Sequence, residues 1–286
     1  MPSDIESILG KIPELAGPAT VTPLSGGITN HNFRVETGGA TYVLRIAGQN
    51  TAQLGIDRDR EHACAVAAAA AGVGAEVVAY LPEHCALLTR FLAGQVLSVD
   101  SARRDDVLQR AVAAIARLHA APPVPGEFSA FLTIDDYHNL AIARAVSLPP
   151  EVPQAIAELK MLEKRVATSS AACPCHNDLL PGNLIDDGTT IRIIDWEYAG
   201  MGDRFFDLGN FAENHRLDAS QEQQLLRLYF GREQPTELAR LRAMRRVSAL
   251  REAMWGFAQA GISQLDFDFT SYAREHLGRF FLQAQD

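Results

Sequence analysis

Between Cys175 and Tyr198 the chain reads Cys-His-Asn-Asp-Leu-Leu-Pro-Gly-Asn-Leu-Ile, then Asp186-Asp187-Gly188, then Ile-Arg-Ile-Ile-Asp-Trp-Glu-Tyr after two threonines. No other stretch constrains the fold as much. Physically it is a tight loop that offers Asp178 and Asn183, five residues apart, then a hairpin-like return and a short apolar strand with Asp195 at its far end. Loop and strand end must lie side by side for the three oxygen-bearing side chains to converge. Such a set suits phosphoryl transfer. An isolated Asp orients a hydroxyl and takes its proton, while an Asn oxygen and a second carboxylate complete the oxygen shell of a Mg-bound polyphosphate. A lone His-x-Asp is weak, since a His before a turn is usually structural. The Asp-to-Asn interval, the intervening Pro181-Gly182 and the return into an apolar strand separate it from an ordinary hairpin with polar turns.

The interval also matches the catalytic loop of protein kinases, His-x-Asp with an Asn five residues on and a metal-binding Asp at a strand end. From His176 to Asn210 the sequence resembles the choline/ethanolamine kinase family (bacterial type) within the aminoglycoside phosphotransferase and protein-kinase-like superfamily. Asp195-Trp196-Glu197-Tyr198-Ala199-Gly200 and Phe206-Asp207-Leu208-Gly209-Asn210 carry the likeness to that branch. The resemblance implies an α+β, two-lobed, protein-kinase-like fold, with a small antiparallel β-sheet and one helix in the N-lobe and a larger, mainly α C-lobe. Residues 1–92 would form the nucleotide-binding lobe, 93–97 the hinge, and 98–286 the catalytic and substrate-binding lobe.

With 286 residues, 47% of them hydrophobic, the chain can bury a core large enough for two modest lobes. The net charge of -9 argues against nucleic acid, whose binding rests on Lys and Arg neutralising phosphates, and suits a small cationic molecule. Met1-Pro2-Ser3-Asp4-Ile5-Glu6 lacks the basic and apolar regions of a signal peptide, and the longest apolar run, Ala63 to Ala71, is far too short to span a bilayer. The expectation is a cytoplasmic protein with no membrane partner; a homodimer stays open. Cys64, Cys85, Cys173 and Cys175 read as reduced thiols. Cys173-Pro174-Cys175-His176 lacks the second Cys/His pair of a zinc site.

A short helix is expected over Ile5–Leu9. Strands follow at Val21–Leu24, Phe33–Glu36 and Ala40–Ile46, the last two joined by a Gly38-Gly39 turn. Between the first two lies Ser-Gly-Gly-Ile-Thr-Asn, whose glycines permit close backbone approach to phosphates. The family has a similar stretch here, so Gly26, Gly27, Thr29 and Asn30 are carried over as the phosphate loop. Alternation puts Val43 and Arg45 on one face and Tyr42, Leu44 and Ile46 on the other. No Lys occurs between Lys11 and Lys160, so the usual kinase Lys is absent. The family resembles this chain in carrying Arg there, and Arg45 would fork onto nucleotide phosphates. The spacing predicts a helix from Asp57, its N-cap, to Ala71, stopped by Gly72. That helix carries Arg58 and Glu61, with Glu61 the candidate partner of Arg45. Two more strands, Glu76–Leu81 and Ala86–Phe91, complete a sheet of about five.

Beyond an aperiodic Leu92–Val96, the apolar spacing predicts helices over Asp100–Ala120, Asp135–Val146 and Pro153–Ala167. After the motif, others are expected over Ala219–Phe230, Thr236–Ala260 and Phe269–Gln283, punctuated by Gly231 and Gly261. His119 reads as structural. By resemblance, Asp207 braces the catalytic loop through its backbone rather than touching substrate.

The resulting expectation is ATP- and Mg-dependent phosphorylation of a small cationic alcohol such as choline or ethanolamine. Asp178 is the catalytic base, Asn183 and Asp195 hold Mg, and Glu197 joins a second metal site. Aromatic faces and a carboxylate suit an ammonium. Tyr198, Trp255 and Glu252 are therefore the substrate-binding candidates, Tyr198 and Trp255 through their match to family motifs. Glu252 stands where eukaryotic choline kinases carry the first of a doubled Trp, which keeps other amino alcohols open. The alternatives are an aminoglycoside or thiamine kinase of the same fold, a nucleotide-binding pseudokinase, and a hydrolase that uses these carboxylates on water.

Overall fold

The computed structural model describes residues 5–15, 17–24, 30–48, 51–166, 171–232 and 234–284. The expected phosphate-loop residues Gly26, Gly27 and Thr29 lie outside them. The chain opens with α1 (Ile5–Leu9), followed by β1 (Thr20–Leu24), β2 (Asn30–Thr37) and β3 (Ala40–Ala47). Then come α2 (Arg58–Ala70), β4 (Val77–Leu81) and β5 (Ala86–Arg90). The five strands form one antiparallel sheet in the order β1-β2-β3-β5-β4. Val43 stands opposite Arg34 and Thr89, and Arg45 opposite Asn32 and Leu87. Asp57 caps α2 as the sequence predicts, its side chain accepting from the backbone N–H groups of Asp59 and Arg60.

Alternation sorts the sheet into two faces. Phe33, Val35, Tyr42, Leu44 and Leu88 bury against Ile5 and Ile8 of α1 in a small core. The face carrying Arg45 looks the other way, toward α2. Cys64, Ala65 and Ala68 of that helix, with Leu54, Ile56 and Val73, belong to a much larger core shared with the helices that follow.

The connection after β5 is less irregular than its sequence suggests. β6 (Gln95–Val96) leads into α3 (Val99–Ala102), α4 (Asp105–His119), α5 (Ala130–Ala143) and α6 (Val152–Val166). The single helix expected over Asp100–Ala120 is thus two. Arg103 ends α3, and Gln221 ties down the turn by donating to the Arg103 carbonyl and accepting from its Nε. Likewise α5 starts earlier than Asp135, because Ser129 caps it by accepting from the Leu132 N–H.

The motif builds β7 (Cys173–Cys175), β8 (Leu184–Asp186), β9 (Ile191–Ile193) and β10 (Gly200–Gly202). β6, β8 and β9 form a three-stranded sheet, and β7 pairs with β10. The Val73 carbonyl accepts from the Ile193 N–H (2.7 Å), and Arg192 donates to the Gly72 carbonyl (2.8 Å), so the end of α2 docks on β9. The chain finishes with α7 (Arg204–Asn214), α8 (Ala219–Phe230), α9 (Pro235–Ile262) and α10 (Phe269–Leu282). α9 is buried without a break from Val247 to Gln259 and forms the axis of the helical part. Gly261 does not punctuate it but lies within it, where a Cβ would come within 2.6 Å of the Arg144 Cβ at the end of α5. Among the described residues no helix is long and apolar enough to cross a membrane.

Candidate active site

The loop after β7 is held from behind by two residues one helical turn apart. Asp207 of α7 accepts from the backbone N–H groups of His176 (2.8 Å) and Asn177 (2.6 Å). Asn210 accepts from the Leu179 N–H (2.5 Å) and donates to the Ser248 hydroxyl on α9 (3.0 Å). Spacing of three along a helix puts both side chains on the face turned to the loop. Three of the loop's four N–H groups from His176 to Leu179 are thus fixed by α7. The fourth, that of Asp178, is taken by His176 Nδ1 (3.2 Å), while His176 Nε2 donates to the Ile194 carbonyl (2.9 Å). His176 is therefore a neutral strut between loop and Asp195 strand, and burial lowers its pKa, favouring that state. His119 stands behind Asp207, bonded to its carboxylate (3.0 Å) and to the Tyr229 hydroxyl (2.7 Å). The four cysteines are free.

The backbone bends sharply at two places here. Asn177 and Asp195 have φ of 65° and 67°, the left-handed region that short polar side chains tolerate best. Asn177 secures its turn by donating to the Tyr198 carbonyl (2.9 Å).

Asp178 emerges from this frame with its side chain 14% exposed. One oxygen accepts from Arg251 Nη1 (2.8 Å), and Asn183 Nδ2 donates to the Asp178 carbonyl oxygen (2.9 Å). Burial pushes the Asp178 carboxyl up to about 6 and outweighs Arg251, which pulls it down; Glu252 and Glu197 add to the rise. Asp195 lies beyond the end of β9 and is 28% exposed. Burial first, and then the Glu197 charge, push it up to about 7.

Facing these carboxylates are two arginines from the sheet and α2. Arg45 pairs with Glu61, Asp195 (3.0 Å) and Glu197 (3.4 Å). Arg58 bridges Glu61 (2.7 Å) and Glu197 (2.6 Å), and Asn30 also donates to Glu197 (2.7 Å). Of the expected nucleotide residues, Asn30, Arg45 and Glu61 are thus brought together. Glu61, Asp195 and Glu197 each place an oxygen within 4.8 Å of the others, a set of hard donors that fits a divalent cation such as Mg. Two Arg against three carboxylates leaves the cluster net negative, and the Glu197 charge adds to the burial that raises the Asp195 carboxyl.

Beside Asp178, Arg251 links Tyr198 to Glu252, and Tyr272 links Glu252 to Trp255, so the three substrate candidates are joined through other side chains rather than as one aromatic pocket. The Arg251 guanidinium stacks 4.4 Å over the Tyr198 ring, and the same Nη1 that holds Asp178 donates to Glu252 (2.6 Å). The Tyr272 hydroxyl donates to the other Glu252 oxygen (2.8 Å), and the Trp255 ring meets Tyr272 and Phe269 edge-on. Sequence reasoning missed Arg251, Tyr272 and Asn210. Arg251 could have been noticed as a charge directly before Glu252 in an otherwise apolar run, and Asn210 closes one of the two stretches that carry the family likeness; Tyr272 carried no such signal.

Residues 20–244 match the profile of the phosphotransferase enzyme family. A probable ethanolamine kinase A of Dictyostelium discoideum is 29% identical over 92% of this chain and 84% of its own. The crystal structure of a choline/ethanolamine kinase family protein from Mesorhizobium loti superposes with a TM-score of 0.84 at 31% identity, over 98% of this chain and 95% of that one. LicA, solved in complex with AMP, shares the fold with a TM-score of 0.75 at 20% identity, over 96% and 98% of the two chains.

Proposed function

Since the chain belongs to the phosphotransferase enzyme family, and to its choline/ethanolamine kinase branch, we propose that it transfers the γ-phosphate of ATP, with Mg, to the hydroxyl of an amino alcohol such as choline or ethanolamine. It is a phosphotransferase acting on an alcohol group; nucleotide, metal and acceptor are the proposal. The observation that carries it is Asp178, a carboxylate on a fully braced loop, close to the Arg-bound carboxylate cluster and held by Arg251, which also reaches Tyr198 and Glu252.

In this reading residues 1–92 form the nucleotide lobe, 93–97 the hinge and 98–286 the catalytic lobe. Arg45, held by Glu61, and Asn30 take the phosphate side, and Gly26, Gly27 and Thr29 keep the phosphate-binding role expected from the sequence. Asn183 and Asp195 hold Mg, with Glu197 as a further carboxylate donor. When bound, the ion neutralises charge on the phosphate oxygens. Asp178 receives the acceptor hydroxyl, directs its oxygen at phosphorus and takes its proton as the new P–O bond forms and ADP leaves. Such a base works when ionised, and Arg251 favours that form against the burial of the site. Positioning supplies most of the rate in reactions of this class. The AMP-bound state of LicA supports the nucleotide assignment.

The test is ADP release by the purified chain with Mg-ATP and choline, ethanolamine, thiamine or kanamycin in turn. Turnover dependent on one of the first two is the expected result. Turnover with thiamine or kanamycin alone would move the acceptor to another class, and ADP release without any acceptor would indicate a hydrolase.

A further inference from the structure

We propose that Arg251 determines the acceptor class, by occupying the Tyr198 ring face beside Asp178 so that the pocket takes a primary ammonium and rejects a trimethylammonium. This rests on the amino-alcohol reading above.

Arg251 sits in the buried middle of α9 and is 1% exposed. Its guanidinium touches three groups at once: the Asp178 carboxylate (2.8 Å), the Glu252 carboxylate (2.6 Å) and the Tyr198 ring (4.4 Å). In an amino alcohol two carbons separate hydroxyl from nitrogen, a span of about 3–4 Å. With its hydroxyl on Asp178, such a molecule must therefore place its nitrogen among the groups next to that carboxylate. The two kinds of ammonium ask different things of them. A trimethylammonium has no N–H and is held by aromatic faces. A primary ammonium has three N–H donors and is held by oxygen acceptors.

The pocket answers the second need. The aromatic face adjacent to Asp178 already carries a cation of the protein, and a second cation against it would be repelled. One turn before Trp255 the same helix face presents Glu252 in place of another ring. Tyr272 is turned by its hydroxyl toward Glu252, and the Trp255 ring is packed against Phe269 and Tyr272. Asp178, Glu252 and Arg251 together retain one net negative charge, enough to attract an ammonium, but they offer it carboxylate oxygens rather than ring faces.

Methylammonium and tetramethylammonium isolate the headgroup from the chemistry. Their binding to the whole chain, titrated by calorimetry in the presence of ADP, is predicted to favour methylammonium by about tenfold, or about 1.4 kcal/mol. Ethanolamine should lead choline in kcat/KM by a similar factor. R251K, which keeps the charge, should preserve the preference, whereas R251M, which frees the Tyr198 face, should narrow or reverse it. A general loss of structure would lower both ligands together and leave their ratio alone. Tetramethylammonium bound as tightly as methylammonium by the wild type would overturn the assignment, as would a wild-type ratio in R251M that is folded and still binds ATP as the wild type does. Should R251M fail to fold, the wild-type and R251K ratios decide. If neither ion binds the wild type while ATP does, the amino-alcohol reading falls and this assignment with it.

Discussion

Asp207 does more for the loop than any residue that faces substrate. Its two oxygens take two backbone N–H groups and a His119 nitrogen, and the carboxylate is wholly buried. Orphaning buried donors costs about 1–3 kcal/mol each. Asp207→Ala should thus lower stability by about 3 kcal/mol in urea denaturation and reduce turnover at temperatures where the variant is still folded. A second residue contributes stability that depends on pH. His215 is buried at the end of α7, stacked on Phe211 (4.1 Å) and bonded to the Phe211 carbonyl, and its Nε2 has no partner among the described residues. Burial lowers its pKa to about 4. The unfolded chain, with His near 6.5, therefore binds the proton first. The contribution of this residue is complete above about pH 6.5 and is lost as pH falls toward 4, by up to about 3 kcal/mol. The difference in denaturation midpoint between the wild type and His215→Gln should therefore shift in favour of the variant as pH falls from 7 to 4.5, and a difference independent of pH would contradict this role. At this scale the sequence made Asp178, Asn183 and Asp195 legible because they are close neighbours in a single stretch. Arg251 could be seen as an isolated charge but its role could not be read, since that depends on Asp178 lying 73 residues away.

Among the elements, α7 and α9 set the precision of the loop. They approach so closely that a Cβ on Gly209 would lie 2.7 Å from the backbone of Met244. Gly209 stands between Asp207 and Asn210, so any displacement there moves both braces. Gly209→Ala should destabilise by about 1–3 kcal/mol through overpacking, and its thermal shift should be accompanied by a fall in kcat larger than any change in KM for ATP. Strands β1 to β5 and helix α2 could be read from alternation and from the Asp57 cap because those signals are local. The break between α3 and α4 could not. Arg103 and Arg104 are sound helix formers, and what ends α3 is Gln221, reaching from α8. Gly261 misled for a related reason: a glycine that suggests a stop is there to admit α5.

Across the molecule, one ionic junction links the sheet and α2 to the motif. Arg58 joins Glu61 on its own helix to Glu197, while Arg45 of β3 reaches Asp195 and Glu197. Removing one partner of such a buried network leaves the others uncompensated, at a cost of about 3–5 kcal/mol. Arg58→Ala should lower the melting temperature and raise the KM for ATP, because Arg45 must then hold Glu61, Asp195 and Glu197 without the second guanidinium. The sequence suggested Arg45 with Glu61 but not this wider junction, which forms only when β3, α2 and the residues after β9 meet.

The most direct test of the whole account is phosphorus NMR of the wild type and Asp178→Asn, matched for folding, with Mg-ATP and ethanolamine. The wild type should form one phosphomonoester per ADP. The variant should lose about 10²–10⁴-fold in rate, as expected for removal of a general base, with ATP affinity within a few-fold of wild type. Equal rates of phosphoethanolamine formation by the two proteins would rule out Asp178 as the base.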